Sequence, residues 1–243
     1  MIESSVSIVL PVYNEERILE KNSLKVLDYC ENIFKKFEIV IADNGSTDKT
    51  PDIGRNLAKK YKKIKYLRLE KRGRGRALKT AWTISKADIF CYMDADLATD
   101  LKHLEQLIKL VEEGYDITYG SRLSKESKVE RSAKRNLLSI GYNFLFRIAF
   151  NTKIADPQCG FKAVNKTIVK KIVPLVKEKG GPFDAELLLI SERLGYKLKE
   201  VPVKWADTRL LDGEKSRFNL FEETKKHITL IWRLRKNIKT IKN

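Results

Sequence analysis

Asp94 and Asp96 stand one residue apart at the end of an apolar run, Ile89 to Met93. Residues i and i+2 of an extended chain point the same way, so two carboxylates converge where the chain leaves a sheet. Their mutual repulsion is relieved by a cation between them. Mg²⁺ or Mn²⁺ suits such a place, because either ion takes few protein ligands and keeps positions for water and phosphate oxygens. The competing use is structural, with Asp94 capping a following helix and Asp96 in solvent. Two other apolar runs favour a site: VSIVLPVY (6–13) leads into Asn14-Glu15, and FEIVIADNG (37–45) contains Asp43-Asn44-Gly45 and is followed by Ser46.

Asp43 can accept hydrogen bonds from a nucleotide base edge or a ribose, while Ser46 or Thr47 is placed to cap a helix starting near Thr50. KRGRGRALKTAW (71–82) supplies Gly73 and Gly75, which let a backbone approach a ligand closely. Arg72, Arg74, Arg76 and Lys71 add positive charge near the start of a helix, where phosphate is favoured, so this run is a candidate diphosphate wall. The two histidines, His103 and His227, belong to no catalytic-looking cluster, and His103 is expected at the surface of a helix.

These groups need a scaffold that brings strand ends together. The runs 6–13, 37–45, 64–70 and 87–96 read as strands, with helical spacing over 16–36, 50–62 and 75–86 between them. That alternation predicts a Rossmann-like α/β fold: a mostly parallel sheet with right-handed crossovers, flanked by helices, binding ligands beyond the carboxyl ends of its strands. Further on, 116–124 reads as a strand running into a basic loop and 134–150 as a helix apolar nearly all round. Residues 156–164 read as turn-rich, 182–195 as a helix, and 197–205 as an edge strand because Pro202 removes a ladder donor. No repeat or low-complexity linker divides the chain, so one domain is expected.

The 243 residues allow one sizeable core. Cys30, Cys91 and Cys159 are an odd, widely spaced set without metal-ligand spacing, which implies reduced thiols in a cytosolic protein. The N-terminal run is too acidic and its apolar part too short for a secretory leader, and nothing approaches the ~18–20 apolar residues of a membrane span. A formal charge of +17 suits nucleic acid, an anionic membrane surface or phosphate-bearing substrates, or the Lys-rich proteome of a thermophile. Nucleic acid is disfavoured because the acidic strand ends would repel its phosphates.

PVYNE (11–15), DNGSTD (43–48), GRGRA (73–77) and DAD (94–96) occur in an order and spacing that resembles the family-2 glycosyltransferases, which have the GT-A fold. With YGSR (119–122), RNLLS (135–139), DPQCGFKA (156–163), FDAELL (183–188) and GEKSR (213–217), the chain is similar to polyprenyl-phosphate sugar synthases such as the dolichyl-phosphate mannose and glucose synthases. The resemblance implies that Pro11, Tyr13 and Glu15 line a nucleotide pocket, Asp43 holds base or ribose, Gly73 and Arg74 flank the diphosphate, and Asp94 and Asp96 carry Mg²⁺ or Mn²⁺. Arg122, Arg135 and Ser139 would cradle the acceptor phosphate, and Arg217 would close over the donor. The implied catalytic set is Asp94, Asp96, Arg122 and Arg135. The mannose enzymes usually have a glutamine where Ala98 stands, so DADLAT and DPQCGFK lean to glucose; Asn44 replaces a frequent second aspartate, and Arg76 a commoner small residue.

The implied reaction is inverting transfer of a hexose from UDP-glucose or GDP-mannose to a dolichyl or other polyprenyl phosphate, with UDP-N-acetylglucosamine also open. A hydroxyl acceptor on a glycan or protein would instead need a carboxylate base, for which Asp184 or Glu186 is the candidate; Asp184 is equally placed to cap its helix. A lipid acceptor would hold the enzyme peripherally at the cytoplasmic face of a membrane. Residues 1–218 then form the catalytic domain, and 219–243 a basic, amphipathic interface helix of the same domain, with seven Lys/Arg against two Glu.

Overall fold

Val6, Ile8, Leu10 and Val12 of strand β1 (Val6–Val12) enter one apolar core while Val9 enters another, and Phe90 and Tyr92 of β4 (Ile89–Met93) likewise part from Ile89, Cys91 and Met93. The central strands are therefore buried on both faces, and the period of two sorts their side chains between two layers. The computed structural model describes residues 2–207 and 220–239, with the side chains of 133–135 and 220–227 outside that description.

Seven strands form one sheet in the order β3-β2-β1-β4-β7-β5-β8. The strands not yet placed are β2 (Phe37–Asp43), β3 (Ile64–Arg68), β5 (Ile117–Ser121), β7 (Phe161–Asn165) and β8 (Leu198–Pro202). Pairing is parallel except along β7, which runs antiparallel to both β4 and β5. A small parallel pair, β6 (Lys128–Glu130) with β9 (Lys204–Ala206), stands apart. Helices α1 (Leu19–Ile33), α2 (Thr50–Lys60) and α4 (His103–Glu112) cover the Ile8 face. On the Tyr92 face lie α3 (Arg74–Ile84), α5 (Ala133–Phe150), α6 (Lys166–Lys171), α7 (Phe183–Arg193) and α8 (Leu220–Lys239).

The mostly parallel α/β sheet expected from the sequence is present, with β8 as the edge strand that ends at Pro202. One element departs from expectation. The run 156–164, read as turn-rich, holds all but the last residue of β7, a strand in the middle of the sheet. Its polar appearance comes from Lys162, which is fully buried opposite Tyr92 and has its charge satisfied internally.

His103, expected at the surface of a helix, is the first residue of α4. It is half-buried, its Nε2 accepts a hydrogen bond from the Lys204 backbone N–H at 2.9 Å, and burial lowers its pKa.

On α8, Leu230, Leu234 and Ile238 are buried, one turn apart, and join the core that holds Phe146 and Phe150 of α5. The C-terminal helix is thus part of the packed domain while its other side faces outward.

Candidate active site

The carboxyl ends of β1 and β2 are tied together by side chains. Asn14, in the left-handed conformation at φ 55°, donates its backbone N–H to Ser46 Oγ at 3.0 Å, and its Oδ1 accepts from Thr47 N at 2.8 Å. Glu15 N donates to Thr50 Oγ1 at 2.8 Å. Ser46 and Thr47 therefore join the two loops rather than cap α2, as the sequence had suggested. The carboxylate of Asp48 accepts from Thr50 N at 2.9 Å instead.

Asp43 is fully buried at the end of β2. It accepts from Ser46 N at 2.8 Å, Tyr66 OH at 2.5 Å and Arg68 Nη1 at 3.0 Å. A base or ribose reaching this carboxylate would share it with Tyr66 and Arg68. Pro11 lies within β1, and just past the strand the Tyr13 ring carries the Arg72 guanidinium 3.9 Å from its centroid, which makes an aromatic–cation platform on this rim.

Asp94 follows β4 directly. Because Tyr92 and Asp94 are two residues apart, both reach the layer that contains α3 and α7. There Arg74, the first residue of α3, donates to Asp94 Oδ1 at 3.3 Å and to Asp184, and its Nη2 also donates to Gly181 O at 3.3 Å. Asp184 is buried and further accepts from Tyr92 OH, while Lys162 Nζ lies 3.9 Å away. The lysine is anchored in turn to the carbonyls of Cys159 and Pro157. Burial opposes the Arg74 charge, yet Asp184 together with Tyr92 and Asp94 raises its pKa. Asp184 does not cap α7, whose start carries no side-chain cap. Glu186 turns the other way and accepts from Glu178 N at 2.7 Å.

The backbone that follows β4 runs against Gly160. Asp94 N donates to Gly160 O at 3.1 Å, and a Cβ at position 160 would overlap the Asp94 carboxylate. Burial pushes the Asp94 carboxyl above its usual range, with Asp96 and Asp184 adding to the rise against Arg74. Across the cleft Glu15 is pushed up to about 7, first by burial and then by Asp96, Asp48 and Asp94. This crowding of acids fits a divalent cation. Among the described residues no group of three or more His, Cys, Asp or Glu side chains forms a preassembled cage. A cation held by Asp94 and Asp96 would therefore draw its other ligands from diphosphate oxygens and water.

Arg122 is committed to Asp156. Its Nε and Nη2 donate to the two carboxylate oxygens at 2.7 and 2.9 Å, and its backbone N–H adds a third bond at 2.9 Å. Burial opposes the charge on both partners, but each holds the other ionised: Asp156 falls below the usual carboxylate range and Arg122 rises. Any acceptor phosphate at Arg122 would meet the donors this pair leaves over. Ser139 sits on α5, where its backbone carbonyl accepts from Asn143 Nδ2 at 2.8 Å. The side chain of Arg135 and all of Arg217 lie outside the described residues.

A cavity of about 520 Å³ opens beside Arg74, lined by Pro157, Gln158, Gly181, Pro182, Ala185 and Leu230. An apolar groove between α5 and α8 runs past Leu138, Tyr142, Leu145 and Ile231. The outer faces of the same helices expose Leu137, Ile140, Phe144, Ile148, Ile228 and Trp232. No helix among the described residues is long and apolar enough to cross a membrane.

Sequence reasoning brought Asp94, Arg74 and Glu15 to one rim but missed what positions the first two: Tyr92, Lys162, Gly160 and the Asn44 side chain. The Asn44 side chain accepts from Gly73 N at 2.5 Å and so fixes the arginine turn. A lysine and a glycine inside the run DPQCGFK were the available signal.

The sequence model of Glycosyl transferase family 2 matches residues 7–173. The chain is 36% identical over 204 residues to glycosyltransferase AglD of Haloferax volcanii, a match that covers 82% of this chain and 33% of that protein, so the chain spans a third of that relative's length. It is 33% identical over 225 residues to dolichyl-phosphate beta-glucosyltransferase ALG5A of Trichomonas vaginalis, covering 88% of this chain and 68% of the relative. It is 31% identical over 234 residues to the dolichyl-phosphate beta-glucosyltransferase of Saccharomyces cerevisiae, with 88% and 69% covered. Among solved structures, glucosyl-3-phosphoglycerate synthase from Mycobacterium tuberculosis in complex with Mn²⁺ and uridine-diphosphate-glucose aligns with a TM-score of 0.65 at 17% identity, covering 96% of this chain and 79% of that one. Mannosyltransferase PcManGT from Pyrobaculum calidifontis, in complex with GDP-Man and Mn²⁺, aligns at 0.56 and 19% identity over 85% and 57%. The fold is the GT-A arrangement shared by these glycosyltransferases.

Proposed function

Because this chain belongs to glycosyl transferase family 2, we propose that it transfers glucose from UDP-glucose to a dolichyl or other polyprenyl phosphate at a membrane surface, with inversion. The observation that carries this reading is the continuity of three features. The acidic rim of Asp94, Asp96 and Glu15 meets Arg74, the cavity beside Arg74 reaches Leu230 of α8, and α8 shares an apolar groove and an exposed apolar face with α5. A donor with a charged diphosphate fits the first of these, and an acceptor with a hydrocarbon tail fits the last. The named dolichyl-phosphate glucosyltransferases among the relatives favour glucose, and the solved neighbours carry Mn²⁺ or Mg²⁺ with UDP on the same fold.

Asp94 and Asp96 would hold Mg²⁺ or Mn²⁺, which supplies countercharge to a diphosphate leaving group. Gly160 leaves room for Asp94, and Arg74, anchored on Asp184, sets a positive group beside it. The nucleophile needs little help from a base. A phosphomonoester has its second pKa near ~6, so its oxygen is largely ionised at neutral pH. That oxygen attacks the anomeric carbon, the bond from this carbon to the diphosphate breaks, and UDP departs with the electron pair. Arginine side chains would bring the two anions together: Arg74 on the donor side and Arg122 toward the acceptor, where the resemblance also implies Arg135. Glu186 is fully buried and engaged by the Glu178 backbone N–H, and Asp184 by Arg74 and Tyr92, which weighs against a hydroxyl acceptor that needs one of them as a base.

The amphipathic faces of α5 and α8 would lie in the interface of the cytoplasmic leaflet, with basic residues such as Arg147, Arg235 and Lys236 near anionic headgroups. Each such residue contributes about 1 kcal/mol close to the surface. A panel of UDP-glucose, GDP-mannose and UDP-N-acetylglucosamine, each radiolabelled and offered with dolichyl or undecaprenyl phosphate, tests the reading. Formation of glucosyl lipid with UDP-glucose is expected; transfer only to hydroxyl acceptors would overturn it.

A further inference from the structure

The run 71–82 reads as a diphosphate wall at the start of α3, but a strap of this chain already binds two backbone N–H groups of that first turn. Gly75 N donates to Gly180 O at 3.3 Å and Arg76 N to Lys179 O at 3.0 Å. Gly181 O accepts from the Arg74 side chain at 3.3 Å, and Val176 O from Lys79 Nζ at 2.6 Å. A Cβ on Gly73 would overlap Lys179 O, so the strap and the arginine turn pack at glycine distance. Carbonyls of Lys179 and Gly180 thus satisfy two of the orphan donors at this helix start, so a diphosphate there would meet Arg74's side chain with those two N–H groups already bound.

The opposite side of the strap is held by the C-terminal helix. Arg233 of α8 grips Glu178 with two prongs, Nε to Oε1 at 2.5 Å and Nη2 to Oε2 at 2.9 Å. Glu178 is 8% exposed, so its charge depends on this partner. Its backbone N–H is bound by Glu186 of α7, which also hydrogen-bonds Asn237 of α8. A continuous set of contacts therefore runs from α8 through Glu178 and the strap to Arg74, and from Arg74 to Asp94 and Asp184. The same α8 exposes Ile228 and Trp232.

We propose that Arg233 is a positioning residue for the donor site: by clamping Glu178 it fixes the strap that sets Arg74 against Asp94, so the helix that meets the lipid surface also shapes the nucleotide end. The proposal rests on the donor reading above and adds a coupling between the two ends of the active site.

The test is calorimetric titration of the full chain with UDP and Mn²⁺, alongside steady-state KM values for UDP-glucose and polyprenyl phosphate. Arg233→Ala is expected to weaken UDP binding about tenfold, within the usual range of coupling between sites, while the acceptor KM stays within about twofold. Arg233→Lys, which keeps the charge, should recover part of the affinity, and so should Arg233→Glu combined with Glu178→Arg. Thermal melts of all variants separate coupling from general loosening. Unchanged UDP affinity in Arg233→Ala would overturn the coupling, as would affinity losses that merely track the melting temperature across the Ala and Lys variants. Failure of the unaltered chain to bind UDP would instead overturn the donor reading itself.

Discussion

Gly160 supplies the space that the Asp94 carboxylate fills, and its carbonyl accepts the Asp94 backbone N–H at 3.1 Å. Position 160, in the bend just before β7, therefore fixes a proposed metal ligand from 66 residues later in the chain. Gly160→Ala should displace Asp94. Since misplacement by an ångström costs about 10²-fold in rate, turnover should fall by roughly that factor, with a higher Mn²⁺ requirement and native circular dichroism. Wild-type turnover would show that Asp94 need not sit there.

Asp96 borders the same cleft and is only half-buried, so its loss should be felt in chemistry rather than in folding. Asp96→Ala should reduce metal-dependent transfer by about 10²–10³-fold, the scale seen when a charge-stabilising group is removed, with little change in the thermal midpoint. Full activity across a Mn²⁺ titration would remove the residue from the metal site.

Lys162 is fully buried across from Tyr92, where it serves the carbonyls of Cys159 and Pro157 and faces Asp184. Lys162→Met keeps the stem but leaves buried acceptors unpaired, a change that costs about 1–3 kcal/mol. Chemical denaturation should show a shift of that size. An unshifted midpoint would mean that water or another side chain takes over these acceptors.

Glu15 titrates near 7 rather than in the usual carboxylate range, because burial and the charges of Asp96, Asp48 and Asp94 penalise its ionised form. A carboxyl whose folded pKa is raised costs stability because the unfolded chain ionises first, so the cost is absent below its unfolded value, grows as pH rises toward about 7 and is constant above it. Glu15→Gln should raise the thermal midpoint at pH 8 and leave it unchanged at pH 4. An equal effect at both values would mean that packing, not charge, is responsible.

Phe144 and Trp232 are 64% and 70% exposed on the outer faces of α5 and α8. Removing the C-terminal helix would be a poor test of membrane contact, since Leu230, Leu234 and Ile238 belong to the core. Phe144→Glu with Trp232→Glu should keep the fold and cut sedimentation with anionic vesicles about tenfold or more, given the cost of placing charge in an apolar interface. Binding by the unaltered chain should itself weaken with salt, and undiminished sedimentation of the double variant would exclude this face.

The acids of the rim were legible in sequence because each ends an apolar run, and a parallel sheet gathers such ends at one edge. Asp43 shows the limit of that reading. Its type and place suggested a ligand contact, but its partners Tyr66 and Arg68 come from β3, and only the lateral pairing of β2 with β3 shows them filling its oxygens. Lys162 was hidden for the opposite reason. A charged residue in a short run looks like a loop until an antiparallel neighbour supplies acceptors for it.

What could be read along the chain was local: which runs are buried on both faces, which strand ends are acidic, that 134–150 is apolar nearly all round, and that the C-terminal helix is amphipathic and basic. Those follow from periodicity and composition, which act between near neighbours in the chain. Only the folded chain shows that Arg74 lies between Asp94 and Asp184, that the Lys179 and Gly180 carbonyls accept from the α3 start, and that Arg233 reaches Glu178. Each of these joins groups 20 to more than 100 residues apart, and no spacing rule along the chain specifies which distant charge meets which once the layers close.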